Sequence, residues 1–430
     1  MEVKKSRESL ISGFGKAGWG IIVYCAAMFW LYVGMVNDGT NITAPAVAEK
    51  LGIESGTVVS MGTISGIVGI LFFIAIGQIN RRLGARLTSG ICMIMAGVAY
   101  IGIGLSTSII MYTVCLCFVT GGAMSAGYIA GGSLVAEWFP KKKGIVMGYT
   151  TMGHNLASAF YVPMISGLVS CYGVTRGVVL PAILSICLGI VGIIYIRNTP
   201  QERGQNPDNV TDEVYEREYF TEKLDSDGGW TTKKLLKTKE TWLAAISTGL
   251  FQVVTVGVMS QLVIRNQQLG FSQTKAITIM TVVACIGVFG SWIVGIIDQK
   301  WGTKKGMIIF ALWYMIALIF NISEIKSLVY VSIIMIGMAI GGSANFTTSF
   351  PTAIFGRHGF SKVNSVVFPI QGFITSMCFF INGLALNIGG NLRSAYIIYV
   401  IILLVNTLII YFTDEHKYNR DYTTLASNVK

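Results

Sequence analysis

Twelve apolar runs of roughly twenty residues, separated by short polar stretches, set the rhythm of this chain. Their approximate limits are 17–38, 57–79, 87–106, 108–138, 145–170, 177–196, 241–264, 274–297, 306–322, 327–355, 363–387 and 393–412. Runs of this length match the thickness of a bilayer's hydrocarbon layer. Lipid gives backbone N–H and C=O groups no partner, so each run must close its own hydrogen bonds as a helix. The pattern predicts an all-α membrane protein with 12 transmembrane helices. One polar interval is long: residues 197–240 hold ten acidic and eight basic side chains, among them Asp212, Glu213, Glu216 and Glu218. It predicts a linker with short surface helices between an N-terminal six-helix half (1–196) and a C-terminal six-helix half with its tail (241–430).

A repeat supports that division. Gly77-Gln-Ile-Asn80-Arg81-Arg82-Leu-Gly84 and Gly295-Ile-Ile-Asp298-Gln-Lys300-Trp-Gly302 share the pattern Gly-x-x-(Asn/Asp)-x-(Arg/Lys)-x-Gly at an offset of 218 residues, close to half of 430. The ends of the fourth and tenth runs also align, Trp138-Phe139-Pro140 against Ile354-Phe355-Gly356. Two related six-span halves are a common build of secondary transporters, with the site where the halves meet.

Composition adds little beyond this, but charge adds topology. The chain is 53% hydrophobic and 12% charged, whereas soluble domains carry about 25% charged residues. Its net charge of +11 is not a nucleic-acid face. Placed on the twelve-run map, 26 Lys and Arg fall on the side of the termini and six (Lys50, Arg176, Arg265, Lys275, Lys326, Arg393) on the other. That asymmetry puts both termini in the cytoplasm of a multi-pass plasma (inner) membrane protein. The polar N-terminus shows no cleavable leader. The eight cysteines contain no Cys-x-x-Cys pair and read as buried free thiols. Only three histidines occur (His154, His358, His416), with no His-Glu-x-x-His site and no phosphate-binding Gly-x-x-x-x-Gly-Lys-Ser/Thr loop. No enzymatic activity, metal or cofactor is expected; nor is a pore-loop channel. The expected partners are a small-molecule substrate, a proton or counter-solute, and membrane lipid around a monomer.

The repeated loops resemble the signature cytoplasmic loop of the major facilitator superfamily, and the resemblance extends over all twelve runs and the long central loop. In it, Asn80, Arg81, Arg82, Asp298, Lys300 and Glu137 form a gating cluster on the cytoplasmic side. The family's first loop usually has Asp where this chain has Asn80, which implies a weaker latch in the first half than the one Asp298 retains in the second. The segment Glu137-Trp138-Phe139-Pro140-Lys141-Lys142-Lys143-Gly144, followed by Gly148 and Gly153, is similar to the oxalate/formate antiporter and monocarboxylate transporter group. That similarity implies alternating-access transport of a small organic carboxylate. The group's membrane cations are absent, however. The matching position on the eighth span is Gly290, on the eleventh Gln371, and at the end of the first Asn37 and Asp38. A dicarboxylate would bury two charges with no fixed counter-charge, which is costly, so a monocarboxylate or amphipathic organic acid is expected.

Polar residues within the runs supply the candidate site. Asp38, after Phe29, Trp30 and Tyr32, is expensive at membrane depth unless it faces an aqueous cavity. It either carries a coupling proton or, with the span 1 aromatics, meets a cationic or zwitterionic quaternary amine-like solute; the bland reading is an exposed loop residue where hydropathy ends. His154 and Asn155 lie about three turns into the fifth run, and His154 pairs with Gln371 across the repeat. Tyr128 and Asn345 also match across the halves, and Gln252 and Gln261 lie on the seventh run. Hydrogen bonding between helices is the bland reading for each. Arg265, closing the seventh run, is expected to snorkel to the headgroups.

Overall fold

A computed structural model describes residues 13–218, 230–356 and 360–419. The outer parts of both polar tails, the middle of the 197–240 interval, Arg357 and His358 lie outside the described residues. Among the described residues there is no strand. Ten helices are long and apolar enough to cross a membrane, with Val179–Tyr195 a shorter apolar one. The longest, Ser55–Leu105, is two spans joined at Gly84, whose φ of 78° and ψ of 164° break the helix. The spans are therefore Gly15–Asp38 (span 1), the two parts of Ser55–Leu105 on either side of Gly84 (spans 2 and 3), Ile109–Trp138 (4), Ile145–Gly177 (5), Val179–Tyr195 (6), Lys239–Met259 (7), Gln273–Asp298 (8), Thr303–Ile322 (9), Lys326–Phe355 (10), Lys362–Gly389 (11) and Arg393–Tyr411 (12).

Spans 1 to 6 pack among themselves, chiefly 1 on 5, 4 on the 2–3 hairpin and 6 on the same hairpin. Spans 7 to 12 do likewise, 8 on 10, 7 on 11 and 9 on 10 and 12. The two groups meet where span 2 lies on span 11 and span 5 on span 8. Apolar side chains such as Leu71, Ile110 and Ile388 point outward, as a lipid-facing surface requires. Cys171, Cys187 and Cys285 are exposed there too, so only part of the thiol set lies in the protein interior as expected.

The repeated motif has a structural reason at its last position. Gly84 and Gly302 both lie at positive φ, 78° and 84°, with ψ of 164° and 155°, a region open essentially to glycine alone. Each turn is then capped from the far end of its own group. The Asn198 side chain accepts from the backbone N–H of Arg86 at 2.8 Å, and Glu415 accepts from that of Lys304 at 2.7 Å. The two donors, Arg86 and Lys304, are 218 positions apart and the two acceptors, Asn198 and Glu415, 217, so the sequence repeat is also a repeat of contacts.

Span 1 ends at Asp38, as its hydropathy predicts, but no loop follows it. Helical backbone continues through Gly39 (φ −66°) into a helix Thr40–Leu51. Hydropathy falls there because Thr40, Asn41 and Thr43 are polar, yet all three are buried. Their side chains return hydrogen bonds to backbone carbonyls, Thr43 to Gly39 at 3.1 Å and Asn41 to Asp38 at 2.9 Å. Arg265 does correct an expectation. Its side chain is 1% exposed rather than snorkelling. It donates to Asn321 at 2.9 Å and to Glu324 at 3.2 Å and lies over the Tyr396 ring.

Candidate functional site

Three spans of the first group change helical pitch within their length. Residues Gly34–Asp38 of span 1, Ala126–Gly131 of span 4 and Ala157–Tyr161 of span 5 each form a π turn. Such single wide turns interrupt α-helices mostly at functional sites. Span 1 approaches span 5 closely through glycine. A side chain at Gly34 would meet the Tyr161 ring, and one at Gly153 would meet the carbonyl of Ala26. The Trp30 indole N–H donates to the Leu156 carbonyl at 3.1 Å, at the entrance to the span 5 π turn.

Beside these turns is a cluster of rings around His154. Phe29 packs edge-on against His154 at 4.7 Å and against Tyr128 at 5.0 Å. Tyr128 also lies 5.7 Å from Tyr32, 6.1 Å from His154 and 5.0 Å from Phe368 of span 11. Phe368 in turn stacks with Phe73 of span 2 at 6.4 Å. The cluster thus bridges the two groups of spans. Nε2 of His154 is buried without a hydrogen-bond partner among the described residues, as is Oε1 of Gln371, one turn beyond Phe368. Buried polar atoms nearly always find a partner, so these two are open positions for a ligand or water.

Asp38 lies on the other side of the span 1 π turn. It is 3% exposed and accepts a hydrogen bond from the Ser158 hydroxyl, one turn after His154. The exposed-loop reading of Asp38 is therefore wrong: the carboxyl is buried between spans 1 and 5. Of the other candidates, Asn345 donates to the Ser291 carbonyl at 2.9 Å, a tie between spans 10 and 8. Trp30, similarly, is engaged in tying span 1 to span 5. Gln252 and Asn155 are half-buried with no hydrogen bond among the described residues. Gly290 packs directly on span 10, since a side chain there would meet the Met338 carbonyl, which leaves no room for a cation.

The face carrying the termini holds the repeated loops. Asn80 donates to the Ser133 hydroxyl at 2.9 Å, joining spans 2 and 4. Arg81, Arg82, Lys300 and Glu137 are exposed. Oδ1 of Asp298 is buried without a hydrogen-bond partner among the described residues. At the opposite face the two groups are bound together. Asn41 donates to the Met259 carbonyl at 2.7 Å and accepts from the Val263 N–H at 2.8 Å, and Thr40 donates to the Ser260 carbonyl at 3.2 Å. Those acceptors and that donor belong to the break between Lys239–Met259 and the short helix Leu262–Gln268. Asn387 and Thr57 add a bond between spans 11 and 2 at 3.3 Å. The molecule is closed on the side away from its termini.

Sequence reasoning missed Phe368, Ser158 and Asn41. Phe368 was findable, since it shares a helix face with Gln371 three positions on; the other two depend on contacts between spans.

Twelve spans in two packed groups, meeting at a ring cluster and closed at one face, define a multi-pass membrane transporter rather than an enzyme. The model of the Major Facilitator Superfamily matches residues 21–375, and the chain belongs to that family. It is 23% identical over 351 residues to the oxalate:formate antiporter of Oxalobacter formigenes, covering 79% of this chain and 78% of that one. It is also 25% identical over 193 residues to a probable hexose phosphate transport protein of Chlamydia pneumoniae. That match covers 44% of this chain and 42% of the relative, so the chain spans less than half of its length. Among solved structures, the nucleoside transporter NupG shares the fold with a TM-score of 0.67 at 12% identity, covering 91% of this chain and 100% of that one. An inward-facing bacterial homolog of the human lysosomal transporter Spinster does so at 0.66 and 14%, covering 93% and 97%.

Proposed function

We propose that this transporter moves a small monocarboxylate or amphipathic organic acid across the plasma membrane by alternating access, with both termini cytoplasmic and the closed face outward. The carrying observation is the unpartnered His154 Nε2 within the cluster of Phe29, Tyr32, Tyr128 and Phe368. An imidazole nitrogen meets one carboxylate by a hydrogen bond, or by charge when protonated, and the rings cover an apolar tail. Away from their ends and the turn at Gly84, the spans hold no Lys or Arg, and the buried Arg265 in the short helix after span 7 is already paired. A single negative charge with an accompanying proton is therefore accommodated, whereas two are not. The match to an oxalate:formate antiporter over most of both chains supports an acid as substrate.

A second reading has its own observation. Among the described residues, the buried Asp38 carboxyl accepts from the Ser158 hydroxyl alone, and the Tyr161 ring lies against the neighbouring Gly39; aromatic rings attract ammonium groups, as a cationic or zwitterionic solute would need.

Uptake into liposomes containing the purified protein separates the two. Saturable uptake of labelled monocarboxylates such as formate or lactate is expected, with oxalate and choline excluded. His154→Ala should lower uptake by about tenfold, the effect of losing one hydrogen bond to a charged group. Choline uptake that is lost in Asp38→Asn, with no acid transported, would overturn the carboxylate assignment.

A further inference from the structure

We infer that the short helix Thr232–Lys237, at the entrance to span 7, is a binding site for an anionic phospholipid on the face that carries the termini. Its side chains sort by chemistry. Leu235 is fully buried and fixes the helix to the protein, while Leu236 is 45% exposed and Trp242 43% exposed. The Trp242 indole N–H donates to the Leu236 carbonyl at 2.9 Å, which places the two apolar groups side by side where span 7 begins. Lys233, Lys237 and Lys239 are exposed around them. Thr231, Lys233, Lys234, Lys237 and Thr238 line a shallow concavity of about 360 Å³.

This arrangement suits a phosphodiester with acyl chains attached. Lysine ammonium groups and threonine hydroxyls match the phosphate, and Leu236 with Trp242 matches the first carbons of the tails. A tryptophan at the level where a span leaves the bilayer sits in the headgroup region. Lysines there are drawn to anionic lipid. The acidic neighbour Glu240 does not neutralise the patch, because its carboxylate is buried and bonded to Lys417 at 2.5 Å and to Tyr418 at 3.3 Å.

The site is also connected to the transport helices. Lys234 lies over the Trp230 ring at 4.6 Å. Trp230 packs edge-on against Phe355 at the end of span 10 and against Tyr418 of the tail, at 5.0 and 5.3 Å. Tyr418 stacks on Phe355 and donates its backbone N–H to the Ile354 carbonyl at 3.1 Å. A lipid held by the lysines therefore stiffens a clasp of linker, span 10 and tail.

The test is native mass spectrometry of the full-length protein in detergent with added phosphatidylglycerol, phosphatidylcholine or soluble glycerol phosphate. Phosphatidylglycerol should be retained in preference to phosphatidylcholine, and Lys233→Gln with Lys237→Gln should weaken its retention by about thirtyfold. Leu236→Ser should weaken it as well, because the tails contribute. The control Lys326→Gln with Arg393→Gln removes two cations from the opposite face and should change nothing. Equal loss in the control, or no loss in the linker variant, overturns the site. Competition by glycerol phosphate as strong as by the lipid overturns the lipid assignment in favour of a free phosphate.

Discussion

Asn41 uses both ends of its side-chain amide on the second group of spans. It fills the break in span 7 by donating to Met259 and accepting from Val263. Each net hydrogen bond contributes about 1 kcal/mol, so Asn41→Ala, which removes two, should raise the population open on the opposite face by about thirtyfold. Electron-spin distance measurements between labels on that face read this directly; an unchanged distribution would mean the bonds follow closure rather than hold it. Arg265→Gln tests a different residue. A snorkelling arginine would be replaceable at no loss, whereas one held by Asn321 and Glu324 is not. The pair is only partly buried, with Glu324 46% exposed, so a loss of about 1–2 kcal/mol is expected, seen as a Tm lowered by a few degrees. At this scale the sequence showed which polar residues lie within apolar runs but not their partners. His154 and Tyr128 stand out as polar groups in apolar runs. Asn41 does not, because it looks like the polar end of a run until span 7 is laid against it.

At the scale of elements, the span limits follow from hydropathy to within a few residues, and the repeated glycine at the 2–3 and 8–9 turns follows from the motif. Gly84→Ala forces a side chain into a backbone region that costs on the order of 1–3 kcal/mol. That side chain would also meet Asn198 at 2.7 Å, displacing the group that caps span 3. Thermal unfolding in detergent should show the loss, and Gly302→Ala should show a smaller one, since the space beside Gly302 is open to 3.9 Å. Two features resisted the sequence. Helical backbone continues past the apolar end of span 1 because a buried asparagine and buried threonines bond there, two of them to the break after span 7. The π turns share no common composition (Gly-Met-Val-Asn-Asp, Ala-Gly-Tyr-Ile-Ala-Gly and Ala-Ser-Ala-Phe-Tyr), so no pattern marks them.

At the scale of the whole molecule, the two groups touch by different means at their two faces. The face opposite the termini is sealed by hydrogen bonds onto span 7. On the other face, the linker and tail grip spans 7 and 10 from outside, and the charged side chains Arg81, Arg82 and Lys300 face outward. If the protein works by rocking, joining the sealed face covalently stops it. A disulfide formed between Asn41→Cys and Val263→Cys, with the native cysteines replaced, should abolish uptake in liposomes, and a reductant should restore it. Transport that continues through the cross-link would rule out motion of these two spans apart. The twofold plan of the chain was readable from the offset of its glycine motifs, and the closed state was not, because one sequence must encode both states.

The wide turns at 34–38, 126–131 and 157–161 impose a constraint of counting rather than of chemistry. Each accommodates one residue more than the helix around it, so excising a single residue there would return the segment to ordinary α pitch, leaving the flanking ends in register but re-aiming the side chains within the turn. Asp38 would be swung away from Ser158, and Tyr128 from the rings it meets, with every named side chain still present. Single-residue deletions in these segments should silence transport, while equally short deletions in the exposed linker helix Asp212–Glu218 should be tolerated.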